Sequence, residues 1–235
     1  MSQHVSMSAS EAIHLRNVVF GYNPRVPLLR IDELVVADRQ RVFLYGPSGS
    51  GKTTLLGLIT GILQPQQGSC KVLGHEMTKL PLSARDRLRG AEMGYIFQSF
   101  NLIPYLTVRQ NVALPCQVHK RRRKNIIAPT LNEEVERLVR RLGLESHLDH
   151  NVKQLSTGQQ QRVAIARAVI GKPSLVIADE PTSALDTDRR EAFMNLLLEV
   201  CDEASATLVF VSHDRSLMSH FDQQISVSDI SEVCA

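Results

Sequence analysis

The chain has 235 residues, of which 43% are hydrophobic and 22% charged, an ordinary balance for one globular domain with a sizeable core. Its formal charge of +3 is less than the run Lys120-Arg121-Arg122-Arg123-Lys124 alone supplies, so the remainder is slightly acidic, which argues against a general nucleic-acid-binding surface. No apolar run approaches the roughly 18 residues needed to cross a bilayer and the start is polar, so the chain is expected in the cytosol; Cys70, Cys116, Cys201 and Cys234 lack C-x-x-C spacing and are expected to stay reduced.

In chain order, Ala12 to Tyr22 reads as a β-strand with Ile13, Leu15, Val18 and Phe20 as its apolar set, ending in the turn cluster Gly21-Tyr22-Asn23-Pro24. Tyr22 either stacks on a ligand's base or is a half-buried residue at a strand end. A second extended stretch, Leu28 to Val36, leads through Asp38-Arg39-Gln40 to a buried-strand pattern, Val42 to Tyr45. Next comes Gly46-Pro47-Ser48-Gly49-Ser50-Gly51-Lys52-Thr53-Thr54, which fits G-x-x-x-x-G-K-[ST], and then a helical pattern carrying Leu55, Leu56, Leu58 and Ile59. A polyphosphate is held where successive backbone N–H groups turn inward, and residues without a Cβ make that turn. The helix directs its unpaired N–H groups and positive dipole end at the same phosphates, Lys52 adds a mobile cation, and the Thr53 hydroxyl suits Mg²⁺. Nucleoside triphosphate binding follows.

Gly61 and Pro65 break that helix, Ser69 to Leu73 reads as a short strand, Arg85 to Arg89 as helical, and Met93 to Phe97 as a strand ending at Gln98. From Ser99 to about Ser156 the pattern becomes that of a helical insertion, with an amphipathic helix over 133–142. The basic run at 120–124 lies inside it and reads first as a solvated loop, second as a contact for anionic lipid headgroups. Leu155-Ser156-Thr157-Gly158-Gln159 opens a long helix, with Ser156 as N-cap and a second ready anion site at its start. Leu175-Val176-Ile177-Ala178 is the continuous apolar run of a strand buried on both faces, and it ends in Asp179-Glu180, two carboxylates too costly to bury without a partner such as Mg²⁺. Ser183-Ala184-Leu185-Asp186, a helix over 189–200, a strand over 208–211 and His213 at that strand's carboxyl end complete the pattern.

Together these segments resemble the ATPase subunit of ABC transporters through nearly the whole chain. Gly46 to Thr53 resembles the family's Walker A motif, Gln98 its Q-loop, Leu155 to Gln159 its signature, Leu175 to Glu180 its Walker B motif, Ser183 to Asp186 its D-loop and His213 its switch histidine. The resemblance implies an α/β fold: a P-loop NTPase core of the ABC ATPase type, with mixed and parallel sheet, in a single domain 1–235 carrying a helical subdomain at 99–156. It implies ATP and Mg²⁺ as cofactors and a head-to-tail homodimer holding each ATP between one subunit's P-loop and the other's signature. On that analogy Gly46, Pro47, Ser48, Gly49, Ser50, Gly51, Lys52, Thr53 and Thr54 hold the phosphates and Tyr22 stacks on adenine. Thr53, Asp179 and Gln98 serve the metal, Glu180 polarises the attacking water, and His213 orients water and γ-phosphate. Ser156, Gly158, Gln159 and Asp186 act at the nucleotide interface. The implied partner is an integral-membrane permease, which places the chain peripherally at the cytoplasmic face of the inner membrane, with no nucleic acid expected.

One departure is visible: Thr157 stands where the family's signature commonly has glycine, and a β-branched residue there is expected to resist positive φ and add bulk beside the phosphate. Gly94 to Pro104 and Ala178 to Thr182 look most like the lipoprotein-release, macrolide-export and cell-division group, whereas Ser183 to Asp186 and Gln159 to Arg162 also occur in polar amino-acid importers. A soluble ABC ATPase acting on DNA or ribosomes is the alternative from another class, although the chain has neither a long coiled-coil insertion nor a fused second cassette.

Overall fold

A computed structural model describes residues 10–23, 25–183, 185 and 187–231. The elements in chain order are β1 (Glu11–Phe20), β2 (Leu29–Ala37), β3 (Arg41–Tyr45), α1 (Lys52–Ile59), β4 (Gln67–Val72), β5 (His75–Glu76), α2 (Leu82–Glu92) and β6 (Met93–Ile96). There follow α3 (Val108–Val118), α4 (Lys120–Lys124), α5 (Leu131–Arg141), α6 (Thr157–Val169), β7 (Leu175–Asp179), α7 (Thr187–Ala204), β8 (Thr207–Val211), β9 (Gln223–Ser226) and α8 (Val227–Ile230).

Two sheets form: an antiparallel one in the order β2-β1-β4-β5 and a parallel one in the order β6-β7-β8-β3-β9. The central strands β7, β8 and most of β3 are apolar because both faces are covered, and their period of two sends alternate residues into two cores. Phe43, Val176, Ala178, Leu208 and Phe210 join the core that includes residues of α3, α5, α6 and α7. Val42, Leu44, Leu175, Ile177, Val209 and Val211 join the other, shared with α1 and the antiparallel sheet. Since all five strands run the same way, β3, β6, β7 and β8 deliver the loops at their carboxyl ends to one edge of the sheet.

Side chains from the turns set the helix starts between β6 and β7. Thr107 with Gln110, Thr130 with Glu133, and Ser156 with Gln159 each form a reciprocal capping box at the head of α3, α5 and α6. Cys70, Cys116 and Cys201 are buried free thiols, their pKa values pushed up to about 12, 11 and 12 chiefly by burial, which keeps them protonated and unreactive.

The basic run differs from its expected form. It is helical as α4, not a loop, and its central residue, Arg122, is only 2% exposed. The Arg122 guanidinium donates to the carbonyls of Ala168 (3.0 Å), Ile170 (2.7 Å) and Met93 (2.6 Å), so it joins the end of α6 to the start of β6. Burial pulls its pKa down to about 10, and it stays charged because three carbonyl dipoles face it. Gly171, at φ 69°, is required beside it, since a Cβ there would lie 2.4 Å from the Arg122 carbonyl oxygen. Lys120, Arg121, Arg123 and Lys124 remain exposed. Arg122→Met is therefore expected to destabilise the fold by about 3 kcal/mol by orphaning buried carbonyls, and Arg123→Ala by less than about 0.5 kcal/mol. Urea unfolding of the two variants measures the difference, and equal midpoints would contradict the buried role.

Candidate active site

The loop after β3 carries the strongest motif of the sequence. Its turns use Gly49 at φ 82° and Gly51 at φ 91°, conformations that side chains with a Cβ resist. Gly51 is the N-cap of α1 and offers no side-chain cap, so the first-turn N–H groups of α1 are left for an external acceptor. Gly46 is needed for closeness: a Cβ there would lie 2.5 Å from Ser50 Oγ. Lys52 Nζ lies over the loop, donating to the carbonyls of Gly46 (2.8 Å) and Pro47 (3.0 Å), while Pro47, Ser48, Gly49 and Thr53 are exposed and Thr54 is buried. Tyr22 stands beside α1, its hydroxyl 3.4 Å from Thr54 Oγ1 and its ring edge-on to Phe20, with 70% of the residue exposed. Of the two readings of Tyr22, an exposed aromatic face fits this geometry, and a half-buried strand-end residue does not.

At the end of β7, Asp179 has its carboxyl held above the ordinary range, first by burial and further by the neighbouring Glu180 charge. The Tyr95 hydroxyl, which donates to Asp179 Oδ2 at 3.4 Å, and Lys52 act in the opposite direction. The chain reverses at Glu180 with φ 48°, a costly conformation for a non-glycine residue and one that concentrates at functional sites. The Glu180 N–H donates to Val211 O (2.9 Å) across to β8, which aims the Glu180 carboxylate along the strand-end edge. There Glu180 Oε2 lies 2.9 Å from His213 Nδ1. These two residues, predicted separately, meet because β7 and β8 are hydrogen-bonded neighbours; β3, carrying the phosphate-binding motif, pairs with the other side of β8. The Glu180 side chain is mostly covered and the His213 ring mostly open. Gln98, just past β6, reaches Ser183 Oγ through its Nε2 at 3.5 Å. Asp186 lies outside the described residues.

The segment before α6 is capped as its composition predicts. Ser156 N–H donates to Gln159 Oε1 (2.9 Å), and Gln159 N–H donates to Ser156 Oγ (3.4 Å). The expectation about Thr157 fails on backbone grounds: with Ser156 as N-cap, Thr157 is already the first helical residue, and positive φ is not required of it. A Cβ at Gly158 would meet nothing within 4 Å beyond its neighbours and the backbone of its own helix, so tertiary packing does not demand glycine there. Among the described residues no hydrogen bond joins the Ser156 end of α6 to the loop at 46–54.

Four positioning side chains had no signal in the sequence. Gln161, buried in α6, donates to Pro181 O (3.0 Å) and supports the loop after Glu180. Arg167 donates to the carbonyls of Phe100 (2.5 Å) and Asn101 (2.6 Å), holding the turn after Gln98, where both residues take positive φ. Tyr95 contacts Asp179, and Gln160 satisfies the carbonyls of Val152 (3.1 Å) and Leu155 (3.2 Å) ahead of the capped serine.

Comparison with known proteins agrees with this arrangement. Residues 29–183 match the family profile described as ABC transporter. The chain is 38% identical over 190 residues to the lipoprotein-releasing system ATP-binding protein LolD 2 of Rhodospirillum rubrum, covering 81% of this chain and 80% of that protein. It is 38% identical over 205 residues to the macrolide export ATP-binding/permease protein MacB 1 of Aeromonas hydrophila, covering 87% of this chain but 31% of that longer protein. Among solved structures, a dimeric ATP-binding cassette in a post-hydrolysis state bound to ADP and Pi superposes with a TM-score of 0.78 at 32% identity, covering 95% of this chain and 99% of that one. The fold, the row of motifs along one sheet edge and these likenesses lead to one assignment: the chain belongs to the ABC transporter family, as one of its ATP-binding subunits and an ATPase.

Proposed function

We propose that the chain is the ATP-hydrolysing subunit that energises a separate integral-membrane permease, working as a head-to-tail homodimer at the cytoplasmic face of the membrane. The observation that carries the catalytic part is the Glu180–His213 contact of 2.9 Å on the same strand-end edge as the phosphate-binding loop. In this reading the loop at 46–54 wraps the phosphates, Lys52 turns from the loop carbonyls to the β- and γ-phosphates, and Tyr22 presents its open ring to adenine. Glu180 accepts the proton of the attacking water, with His213 fixing the carboxylate's orientation and contacting the γ-phosphate. Ser156, Gly158 and Gln159 of the other subunit, with Asp186, complete the site across the interface.

Among the described residues no cluster of three His, Cys, Asp or Glu gathers to cage a metal. The hydroxyl of Thr53 and the carboxylate of Asp179 are hard oxygen donors that suit Mg²⁺, which is commonly held by one or two protein groups with phosphates and water supplying the rest; the amide oxygen of Gln98 would be a further donor of the same kind. The bound ion would neutralise phosphate charge.

The permease part rests on an apolar groove beside α1, α2 and β6, whose Leu56, Ile62, Leu63, Met93 and Phe97 end runs on from the Tyr22 and Thr53 end assigned to the nucleotide. Ile62, 64% exposed, lies within this contiguous apolar lining, the kind of patch that marks a protein interaction site. The macrolide relative joins ATP-binding and permease parts in one protein, and this chain spans only a third of it. We assign the groove to a cytoplasmic segment of the permease, with the helical region 99–156 moving with it; the lipoprotein-release and macrolide-export group is the favoured subgroup. No described helix is long and apolar enough to cross a membrane. Ile62→Glu is expected to cut recovery of the permease with the chain at least tenfold in detergent extracts and to leave ATP affinity unchanged. Equal recovery would remove the groove from the interface.

A further inference from the structure

We infer that His147 is a positioning residue for Ser156 and Gln159, fixing the end of α6 that the proposed reading presents to ATP across the dimer. His147 closes a short 3₁₀ turn, Glu145–His147, between α5 and α6. Its Nε2 lies 2.6 Å from Gln159 Nε2. The direction of that hydrogen bond follows from the far end of the same amide. The Ser156 backbone N–H can only donate, and it points at Gln159 Oε1 (2.9 Å), so the Gln159 NH₂ must be the group facing His147. His147 Nε2 is then the acceptor, and the ring is neutral with its proton on Nδ1. That Nδ1 is buried without a hydrogen-bond partner.

The three groups form one chain, from the imidazole through the amide to the Ser156 backbone. The return bond, Gln159 N–H to Ser156 Oγ, is long at 3.4 Å, so it constrains the hydroxyl weakly. The grip on the amide is therefore what sets the Ser156 backbone and the direction of the first N–H groups of α6. Nothing in the Leu155 to Gln159 pattern reveals this, because His147 lies in the turn ahead of it.

The inference rests on the proposed role of Ser156 at the opposite subunit's nucleotide, and the test separates the two. The full-length Glu180→Gln chain is titrated with ATP and Mg²⁺ and its dimer constant measured by sedimentation. His147→Phe, which keeps ring volume and removes the acceptor, is added, as is His147→Gln, whose side-chain oxygen reaches the same place. Ser156→Ala is the control, and His147→Leu replaces the Phe variant where the larger ring does not fit. Binding of a fluorescent ATP analogue to single chains is read in parallel. His147→Phe is expected to weaken the ATP-dependent dimer about tenfold, His147→Gln to restore it to within about twofold, and single-chain nucleotide binding to stay unchanged in both. With His147 variants in the otherwise native chain, kcat is expected to fall while KM for ATP moves little.

A loss of dimer in Ser156→Ala with none in His147→Phe overturns the inference alone. A lower melting temperature in His147→Phe with an unchanged dimer constant does the same, since it shows a structural role only. An unchanged dimer in Ser156→Ala, or no ATP-dependent dimer of the Glu180→Gln chain at all, overturns the reading beneath it.

Discussion

A Glu180→Gln chain is expected to bind ATP as tightly as the native chain and to hydrolyse it about a thousandfold more slowly, within the range that general-base catalysis supplies. The amide has the carboxylate's shape, so its Oε1 can still accept a hydrogen bond from His213 Nδ1 and the strained turn at Glu180 can persist. What it lacks is the basicity to take a proton from water. Phosphoryl transfer to water is mostly a matter of position and charge, and a water that keeps its proton is a poor nucleophile. Single-turnover measurements with saturating ATP separate this from any change in affinity. Turnover within tenfold of native would take Glu180 out of the mechanism and move attention to the partly covered Asp179.

Lys52→Ala is expected to act earlier, weakening ATP binding about a hundredfold, the scale set by losing hydrogen bonds from a charged donor to phosphate oxygens. In the structure the ammonium already lies across the loop on the carbonyls of Gly46 and Pro47, so a short swing brings it to a phosphate in the same cradle. The fold itself depends little on that side chain. Gly49 and Gly51 set the loop's turns, and the buried face of α1 is made by Leu55, Leu56, Leu58 and Ile59. Calorimetric titration with ATP, beside thermal melting of the free chain, distinguishes lost affinity from lost structure. Native affinity in a folded Lys52→Ala chain would contradict the phosphate-binding role.

The strand-end edge was legible because parallel strands covered on both faces must be apolar at every position. Leu175 to Ala178 and Leu208 to Val211 announce themselves in this way, and the residues that follow them, Asp179-Glu180 and His213, stand out by contrast. The edges of elements were less legible: β1 ends at Phe20, short of Tyr22, and α5 begins at Leu131, ahead of the predicted start, because Thr130 caps it. Arg122 was not legible at all. Five cations in succession look solvated, and what buries the third is a set of carbonyls from β6 and the end of α6, distant in sequence. The contact between Glu180 and His213 required strand order, which no local pattern carries. Thr157 misled because its conformation is decided by the residue before it: once Ser156 caps α6, position 157 is ordinary helix, for which a β-branched side chain is only mildly unfavourable.

The measurement that tests the account most directly is affinity purification of the full-length Glu180→Gln chain, with ATP and Mg²⁺ present, from detergent-solubilised membranes of its own cells, with partners identified by mass spectrometry. The account predicts a stoichiometric integral-membrane protein that is recovered with the Glu180→Gln chain and lost when Ile62→Glu is added. Recovery of ribosomes or DNA-associated proteins with no membrane protein would contradict it.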